Sequence, residues 1–231
     1  MGFAISTVVM AFNEAGSLEK VVGEIDGALA DMMRPYEIVI IDDGSTDGTE
    51  GIADRLAESN GSVRVIHHDT NGGLGAVYRT GFASAKGDLI TFFPADGQFP
   101  AEIIKQFAPL MDDADMVLGY VPKGKRSPAA KFLSGAERML FKLFFGRLPK
   151  FQGIMMFKKS LLDKFKLKAA GRGWTVVMEL ILRAEGQGCR LISVPTEIRS
   201  RMAGRSKVKN MANIWANLRQ LIVLRRNFRR T

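Results

Sequence analysis

The stretch ITFFPADGQFP, residues 90–100, places a carboxylate and an amide directly after a run of apolar residues. Runs rich in β-branched and aromatic residues that stop at turn residues predict strands. Asp96 and Gln98 are therefore predicted to stand in the loop that follows a buried strand. Their side-chain oxygens are candidate ligands for a bound group, and the alternative is a turn that binds nothing.

Two earlier apolar runs also end in polar residues, Asn13 and Glu14 after the first run and Asp42 and Asp43 after the second. A carboxylate at such a position can accept hydrogen bonds from the edge of a nucleotide base or from a sugar hydroxyl. The alternatives are local: Asn13 can cap the helix that follows, and Asp42 or Asp47 can cap a turn.

The elements that position these residues alternate along the first half of the chain. Strands are predicted over 4–12, 36–45, 63–68 and 89–94, and helices over 13–33, 46–58 and 73–87. This order predicts a mostly parallel sheet with helices on both faces. Ligands of such sheets bind beyond the carboxyl ends of the strands, so the three polar sets should face one crevice.

The second half is less regular, with a long apolar helix predicted over 127–149 and a basic amphipathic helix at the C-terminus. We divide the chain into one domain over 1–205 and a basic tail over 206–231. Residues 1–122 carry 7 basic and 19 acidic side chains, whereas residues 123–231 carry 26 basic and 5 acidic ones. This asymmetry indicates an anionic partner for the second half.

Composition narrows the class of protein further. Hydrophobic residues make up 46% of the 231, enough for a sizeable core. Cys189 is the single cysteine, which rules out an internal disulfide and a site built from several cysteines. No apolar run reaches the roughly 18 residues of a membrane-spanning helix, so we expect a soluble or peripheral protein.

Four motifs, in this order and spacing, carry a resemblance to a known family: VVMAFNEAGSLEKVV, EIVIIDDGSTDGT, NGGLGAVYRTGFASAKGD and FFPADGQFPAEI. Together they resemble glycosyltransferase family 2, whose fold is the GT-A (Rossmann-like) α/β fold. The nearest likeness is to dolichol-phosphate mannose synthases and other polyprenyl-phosphate glycosyltransferases. The later RSRMAGRSKVK resembles the Arg-x-x-Gly-x-Ser-Lys segment of that subgroup. The resemblance covers roughly residues 4 to 210.

The resemblance implies a set of site residues. Those that would bind the nucleotide sugar are Phe12, Glu14, Ile41, Asp43, Ala95, Asp96, Val117, Lys131, Arg201 and Lys207. Asp96, Arg201 and Lys207 would carry the reaction. Asp96 and Gln98 would hold a divalent metal, Mg²⁺ or Mn²⁺, that neutralises the leaving diphosphate. Pro94 stands where the family has the first acid of its Asp-x-Asp metal motif, so metal affinity or nucleotide choice is expected to differ.

Three other features have more ordinary interpretations. The glycines of NGGLGAVYRTG are interpreted as packing glycines, because the Lys-Ser/Thr ending of a nucleotide-triphosphate loop is absent. His67 and His68 are expected to be structural. Glu179 is a candidate general base only if the acceptor is a hydroxyl.

The function that we predict is sugar transfer from a nucleotide-diphosphate sugar, GDP-mannose or UDP-hexose, to a polyprenyl phosphate, with inversion at the sugar. Helix 131–147 and the tail would dock on anionic lipid, which places the protein on the cytoplasmic face of a membrane. A homodimer or a membrane-protein partner is compatible with this surface, and nucleic acid is not expected. The alternatives are a hydroxyl acceptor, and a non-catalytic relative that binds nucleotide or membrane.

Overall fold

The computed structural model of the protein describes residues 4–122 and 149–202. The strands there are β1 (Ile5–Ala11), β2 (Tyr36–Asp42), β3 (Val63–His67), β4 (Leu89–Pro94), β5 (Met116–Tyr120), β6 (Met155–Lys158) and β7 (Leu191–Pro195). The α-helices there are α1 (Leu18–Ala30), α2 (Thr49–Ser59), α3 (Leu74–Ser84), α4 (Glu102–Phe107), α5 (Ser160–Lys164) and α6 (Thr175–Gly186). A 3₁₀ helix over Ala108–Asp112 continues α4.

All these strands form one sheet in the order β3-β2-β1-β4-β6-β5-β7. β1 pairs in parallel with β2 and β4, and β2 pairs in parallel with β3. β6 is antiparallel to both of its neighbours, and β7 is parallel to β5. The predicted mostly parallel α/β sheet is confirmed, with a single antiparallel strand among the described ones.

Helices cover both faces of the sheet, as the sequence predicts. On one face, the apolar residues of α1 and α4 pack with alternate strand residues such as Val9 and Phe93. On the other face, α3 and α6 pack on the intervening strand residues, among them Val8 and Phe92. Successive side chains of a strand point to opposite faces of the sheet, and helices bury both faces. The sequences of these strands are therefore continuous apolar runs.

Two predicted helix starts are wrong by several residues. α1 begins at Leu18 instead of Asn13, and α2 begins at Thr49 instead of Thr46. The cause is a pair of interlocked turns: the Ser45 hydroxyl accepts the Asn13 N–H, and the Asn13 side chain accepts the Thr46 N–H. These side chains therefore tie one turn to the other and cap neither helix.

The register brings the carboxyl ends of the central strands to one edge. Ala11 at the end of β1 lies beside Asp42 of β2, and Met10 lies beside Pro94 of β4. The loops that follow these strands carry the polar residues singled out above. Helix 131–147 and the tail over 206–231 lie outside the described residues. Within 4–122 and 149–202, no helix has the length and apolarity that crossing a bilayer requires.

Candidate functional site

Two acids from different loops meet at one arginine. The Arg201 guanidinium donates through Nη2 to Asp96 Oδ2 at 2.7 Å and through Nη1 to Glu14 Oε1 at 3.0 Å. Glu14 follows β1 and Asp96 follows β4, so the contact spans the two central strands. We call Glu14 and Asp96 the acid pair. Both residues are buried, at 8% and 5% exposure.

The turn after β4 holds Asp96 and Gln98 in a fixed relation. The Gln98 N–H donates to Asp96 Oδ1 at 3.0 Å. Gly97 between them has φ +71°, a conformation that glycine adopts without strain. A Cβ on Gly97 would also lie 2.5 Å from the Met202 sulfur, so a larger residue would have to displace the Met202 side chain.

Pro94 fits the end of β4 because its missing N–H is not needed. The Leu89 N–H donates to Ala4 O, just before β1, and the Ala95 N–H donates to Met10 O in β1. Successive residues of β4 direct their backbone N–H and C=O groups alternately toward β1 and toward β6. The backbone nitrogen of Pro94 therefore faces β6. β6 pairs with β4 only as far as Thr91. The strand therefore tolerates proline there, and the site has no side-chain acid at this position.

The turn after β1 fixes Glu14 from both sides. Its backbone N–H donates to Thr49 Oγ1 at 2.9 Å, and its Oε2 accepts the Ser17 hydroxyl at 3.3 Å. Asp47 reaches the same turn by accepting the Ala15 N–H. Burial raises the pKa of Asp47, but hydrogen bonds from Thr49 and Ala15 lower it by more, so the net pKa lies below its usual value. The backbone and the carboxylate of Glu14 are thus both fixed by residues near this turn.

Arg201 belongs to a run of residues 196–202 that crosses this edge, which we call the 196–202 segment. The Arg199 N–H donates to Gln98 O at 2.7 Å, and the Met202 N–H donates to Asp96 O at 3.0 Å. The Arg199 guanidinium lies between Glu24 of α1, at 3.1 Å, and Glu102 of α4, at 3.6 Å. The segment is therefore attached to both sides of the edge, on either side of Arg201.

Asp43 is enclosed by a different set of partners. Its oxygens accept the N–H groups of Gly72 and Gly73 at 2.9 and 2.8 Å and the Asn71 amide at 2.9 Å. His68 Nδ1 lies 2.7 Å from Asp43 Oδ1. In this structure Asp43 braces the loop before α3, so the predicted contact with a nucleotide stays a prediction.

The glycines before α3 serve packing, as the sequence analysis predicts. The N–H groups of Gly72 and Gly73 donate to the Asp43 carboxylate, and the Gly75 N–H donates to Arg172 O at 2.8 Å. A Cβ on Gly75 would lie 1.9 Å from Gly171 O. Because these donors already have protein acceptors, the loop is not built to cradle phosphate.

The other predicted site residues fall into three groups. Phe12 is half-buried in the turn after β1, the turn that carries Glu14. Ile41, Ala95 and Val117 are fully buried in the core, where they support the site without exposing a surface to a ligand. Lys131 and Lys207 lie outside the described residues.

Glu179 does not support the role of a general base. Its side chain is completely buried. One oxygen accepts the N–H groups of Lys168 and Ala169 at 2.8 and 2.7 Å, and the other accepts from Arg183. A carboxylate that is enclosed in this way has a structural role.

The sequence does not predict which residues pair with each other in this site. Arg201 is predicted as a phosphate ligand, but its contacts with the acid pair are not predicted. Arg172, whose guanidinium donates to the Asn71 backbone and side chain, is missed altogether. The clustering of basic residues in the second half was the available signal, although it does not identify which acid each one meets.

The donor set suits a divalent cation. Asp96 and Gln98 offer hard oxygen ligands from one turn, and Arg201 already places a positive charge against Asp96 Oδ2. A metal ion at this oxygen would take the place of the guanidinium. Within residues 4–122 and 149–202, no cluster of three or more His, Cys, Asp or Glu side chains could hold an ion by itself. Water or a ligand would have to complete the coordination.

Comparison with known proteins identifies related sequences. The family model described as Glycosyl transferase family 2 matches residues 6–169. Dolichol-phosphate mannosyltransferase of Pyrococcus furiosus is 29% identical over 218 residues, which are 89% of this chain and 59% of that protein. Polyprenol monophosphomannose synthase of Mycolicibacterium smegmatis is 29% identical over 216 residues, 87% of this chain and 79% of that protein. The chain thus spans about three fifths of the length of the Pyrococcus relative.

Solved structures share the fold. Glucosyl-3-phosphoglycerate synthase from Mycobacterium tuberculosis, in complex with Mn²⁺, uridine diphosphate and glucosyl-3-phosphoglycerate, superposes with a TM-score of 0.69. The sequence identity is 20%, and the match covers 96% of this chain and 78% of that one. This likeness shows a shared fold.

Proposed function

The chain belongs to glycosyl transferase family 2, and on this premise we propose that it transfers a sugar from a nucleotide-diphosphate sugar to a polyprenyl phosphate. The observation that carries the proposal is the meeting of Glu14, Asp96 and Arg201 at the carboxyl edge of the sheet. This edge is where open α/β sheets bind their ligands. The meeting provides oxygen ligands and a phosphate-binding cation within a few ångströms of each other.

The acceptor is proposed from chemistry and from relatives. A phosphate monoester is largely ionised near neutral pH, so it can attack without a strong general base. Glu179, the reserve candidate for a base, is enclosed in the core. The names of the Pyrococcus and Mycolicibacterium relatives refer to dolichol phosphate and to polyprenol monophosphomannose. Both lines of argument favour a phosphorylated lipid over a hydroxyl.

The reaction balances as a single displacement. An oxygen of the lipid phosphate forms a bond to the anomeric carbon, and the bond from that carbon to the diphosphate breaks with its electron pair on the departing oxygen. A divalent ion, when bound, would neutralise the departing diphosphate, and Asp96 and Gln98 are the residues that would hold it. Arg201 and Lys207 would bind phosphate oxygens, since Arg offers a planar fork and Lys a mobile charge.

The donor is a nucleotide-diphosphate hexose, GDP-mannose or a UDP-hexose. The Mycobacterium neighbour was solved with uridine diphosphate and Mn²⁺, which supports Mg²⁺ or Mn²⁺ as the ion. Phe12 is proposed to pack on the base, and Asp43 to contact the nucleoside after a change in its present hydrogen bonds. Docking of residues 131–147 and 206–231 on anionic lipid would bring the site to the cytoplasmic face of a membrane.

Nucleotide binding is tested by calorimetry with UDP and GDP, with and without Mn²⁺. Asp96→Asn should abolish the Mn²⁺-dependent part of the binding, because it removes the charged ligand. Asp112→Asn is the matched control, since it removes an exposed acid in the 3₁₀ helix. Equal Mn²⁺-dependent affinity in wild type and Asp96→Asn would contradict the proposed ion site.

The acceptor is tested by transfer of radiolabelled sugar to polyprenyl phosphate, to the unphosphorylated polyprenol and to simple sugars. Lys207→Ala should reduce transfer to polyprenyl phosphate by roughly ten- to a hundredfold, the effect of losing a contact of about 1.5–3 kcal/mol. Equal or better transfer to an acceptor without phosphate would favour a hydroxyl-specific enzyme. No transfer and no hydrolysis of any sugar nucleotide would favour a non-catalytic relative.

A further inference from the structure

The Arg201 guanidinium competes for an oxygen that the proposed metal ion needs. It lies 2.7 Å from Asp96 Oδ2 and also contacts Glu14. Only 22% of the arginine side chain is exposed, and the side chains of Glu14 and Asp96 are each less than 10% exposed. Water therefore screens these contacts weakly. A divalent ion that coordinates Asp96 Oδ2 would stand next to the guanidinium, and the repulsion between the two positive charges favours displacement of Arg201.

A displaced Arg201 cannot move far from the ion. The backbone on either side is attached to the turn after β4, through the Arg199 N–H to Gln98 O and the Met202 N–H to Asp96 O. A free divalent ion on Asp96 would therefore leave an arginine close by, repelled by the ion and without its carboxylate partner.

A nucleoside diphosphate changes this balance. Its phosphate oxygens are strong acceptors for a guanidinium, and they also bind divalent ions. When the ion arrives together with the diphosphate, the displaced Arg201 gains phosphate oxygens in place of Asp96. The same side chain that opposes the free ion then favours the ion–nucleotide pair.

We propose that Arg201 makes the site selective for a divalent cation that is bound together with a nucleoside diphosphate, over the free cation. This inference rests on the proposed function for the identity of the nucleotide. It assigns Arg201 a role in the order of binding, in addition to the phosphate contact expected in the reaction. Replacement of Arg201 should therefore raise the affinity for the free cation and lower the affinity for the cation in the presence of a nucleoside diphosphate.

The test measures Mn²⁺ binding directly, from the electron paramagnetic resonance signal of free Mn²⁺, in the chain of 231 residues. Arg201→Met should raise the affinity for free Mn²⁺ by roughly tenfold, since one charge-assisted competitor is removed. In the presence of UDP or GDP the same variant should lower Mn²⁺ affinity by a similar factor. Arg201→Gln repeats the test if the Met variant does not fold, which thermal unfolding will report.

Arg199→Met is the matched control. It removes one arginine from the same segment, and that arginine also lies between two acids, Glu24 and Glu102. Its side chain is more exposed, at 45%, and it does not touch the acid pair. We expect Mn²⁺ affinity to change by less than about twofold in either condition, because exposed pairs contribute little.

Two results would overturn the inference. One is an unchanged or lower affinity for free Mn²⁺ in both Arg201 variants. The other is a change of the same sign with and without nucleotide. If the wild type binds neither UDP nor GDP under any condition, the proposed function fails, and a gain in free Mn²⁺ affinity in the variants would still identify Arg201 as the competitor.

Discussion

His67 is held between two carboxylates at the end of β3. Its Nδ1 lies 3.1 Å from Asp42 Oδ2, and its Nε2 lies 3.1 Å from Asp54 Oδ1. Burial lowers the pKa of His67, but the hydrogen bonds and charges of Asp42 and Asp54 raise it by more. The net pKa is therefore above the usual value of about 6.5.

This pKa predicts how stability depends on pH. Because the folded pKa is raised, protonated His67 stabilises the fold fully below about pH 6.5, and this contribution is lost as the pH rises through the folded pKa. Urea unfolding at several pH values from 5.5 to 9 should show the loss in the wild type. His67→Gln should lack that part of the decline. An identical pH profile in the variant would show that the ion pairs contribute nothing measurable.

For single residues, the sequence predicts membership of the candidate site better than it predicts the contacts that each side chain makes. Asp96 and Gln98 could be identified because the apolar run of the preceding strand ends just before them. The pairing of Arg201 with Glu14 could not, since the two are separated by 187 positions. Such a contact depends on the register of the whole sheet, which local residue types do not encode. His67 was expected to be structural, and its bonds to Asp42 and Asp54 agree with that interpretation.

Between elements, the packing of α3 against the loop before α6 depends on Gly75. The Gly171 carbonyl oxygen approaches so closely that a Cβ at position 75 would lie 1.9 Å away. The same loop supplies the carbonyl of Arg172 for the Gly75 N–H. Helix α3 therefore begins at a glycine-containing turn because another backbone crosses it there.

Gly75→Ala should lower the free energy of unfolding by roughly 1–3 kcal/mol, the usual cost of a forced backbone shift. Gly27→Ala in α1 is the matched control, because nothing lies within 4 Å of its added Cβ. That exposed helix position should gain roughly 0.5–1 kcal/mol from alanine. Chemical denaturation of both variants measures the difference, and equal effects would contradict the close contact.

Glu179 connects α6 to the loop that precedes it. Glu179→Ala should destabilise the fold by roughly 3–5 kcal/mol, because it leaves Arg183 without its acid and frees two backbone N–H groups. Glu185→Ala, an exposed acid on the same helix, should change stability by no more than about 0.5 kcal/mol. Urea titrations compare the two, and a small effect of Glu179→Ala would argue against a buried network.

Most elements could be predicted because their apolar periods are regular. The apolar residues that recur at helical spacing in α1 are all buried, namely Leu18, Val21, Val22, Ile25 and Leu29. Helix starts were less predictable, because the Asn13 and Ser45 side chains bond across two turns and cap neither helix. Asp47 accepts the Thr49 N–H at the first residue of α2, three residues after the predicted start, and also the Ala15 N–H of the other turn. The antiparallel direction of β6 also has no local signal, since it is set by the strands on either side.

Over the whole molecule, charge separates along the chain, with net −12 over residues 1–122 and net +21 over residues 123–231. Much of the positive charge lies in 123–148 and 203–231, outside the described residues. The proposed partner for that charge is an anionic membrane, and attraction of this kind weakens as salt rises.

Co-sedimentation with liposomes should increase with the fraction of anionic lipid and decrease with salt. Arg225→Glu together with Arg226→Glu should weaken binding, because each basic residue near a membrane contributes about 1 kcal/mol. Lys164→Glu together with Lys166→Glu makes the same charge change at exposed positions in and just after α5. Equal losses in the two double variants would point to overall charge instead of the tail.

The insertion of β6 between β4 and β5 has a consequence for the order of folding. Strands β1 to β4 follow one another closely in sequence, whereas β6 returns to β4 across 64 positions, as in the bond from Thr91 to Met155. Contacts between distant positions form slowly, because a long loop must close first. Asp96 and Arg201 are 105 positions apart, and their contact requires β5, β6 and β7 to be in place. We therefore expect pulse-labelled refolding to protect amides of β1 and β2 before that of Met202, so that the molecule acquires the parallel part of its sheet first and its binding site last.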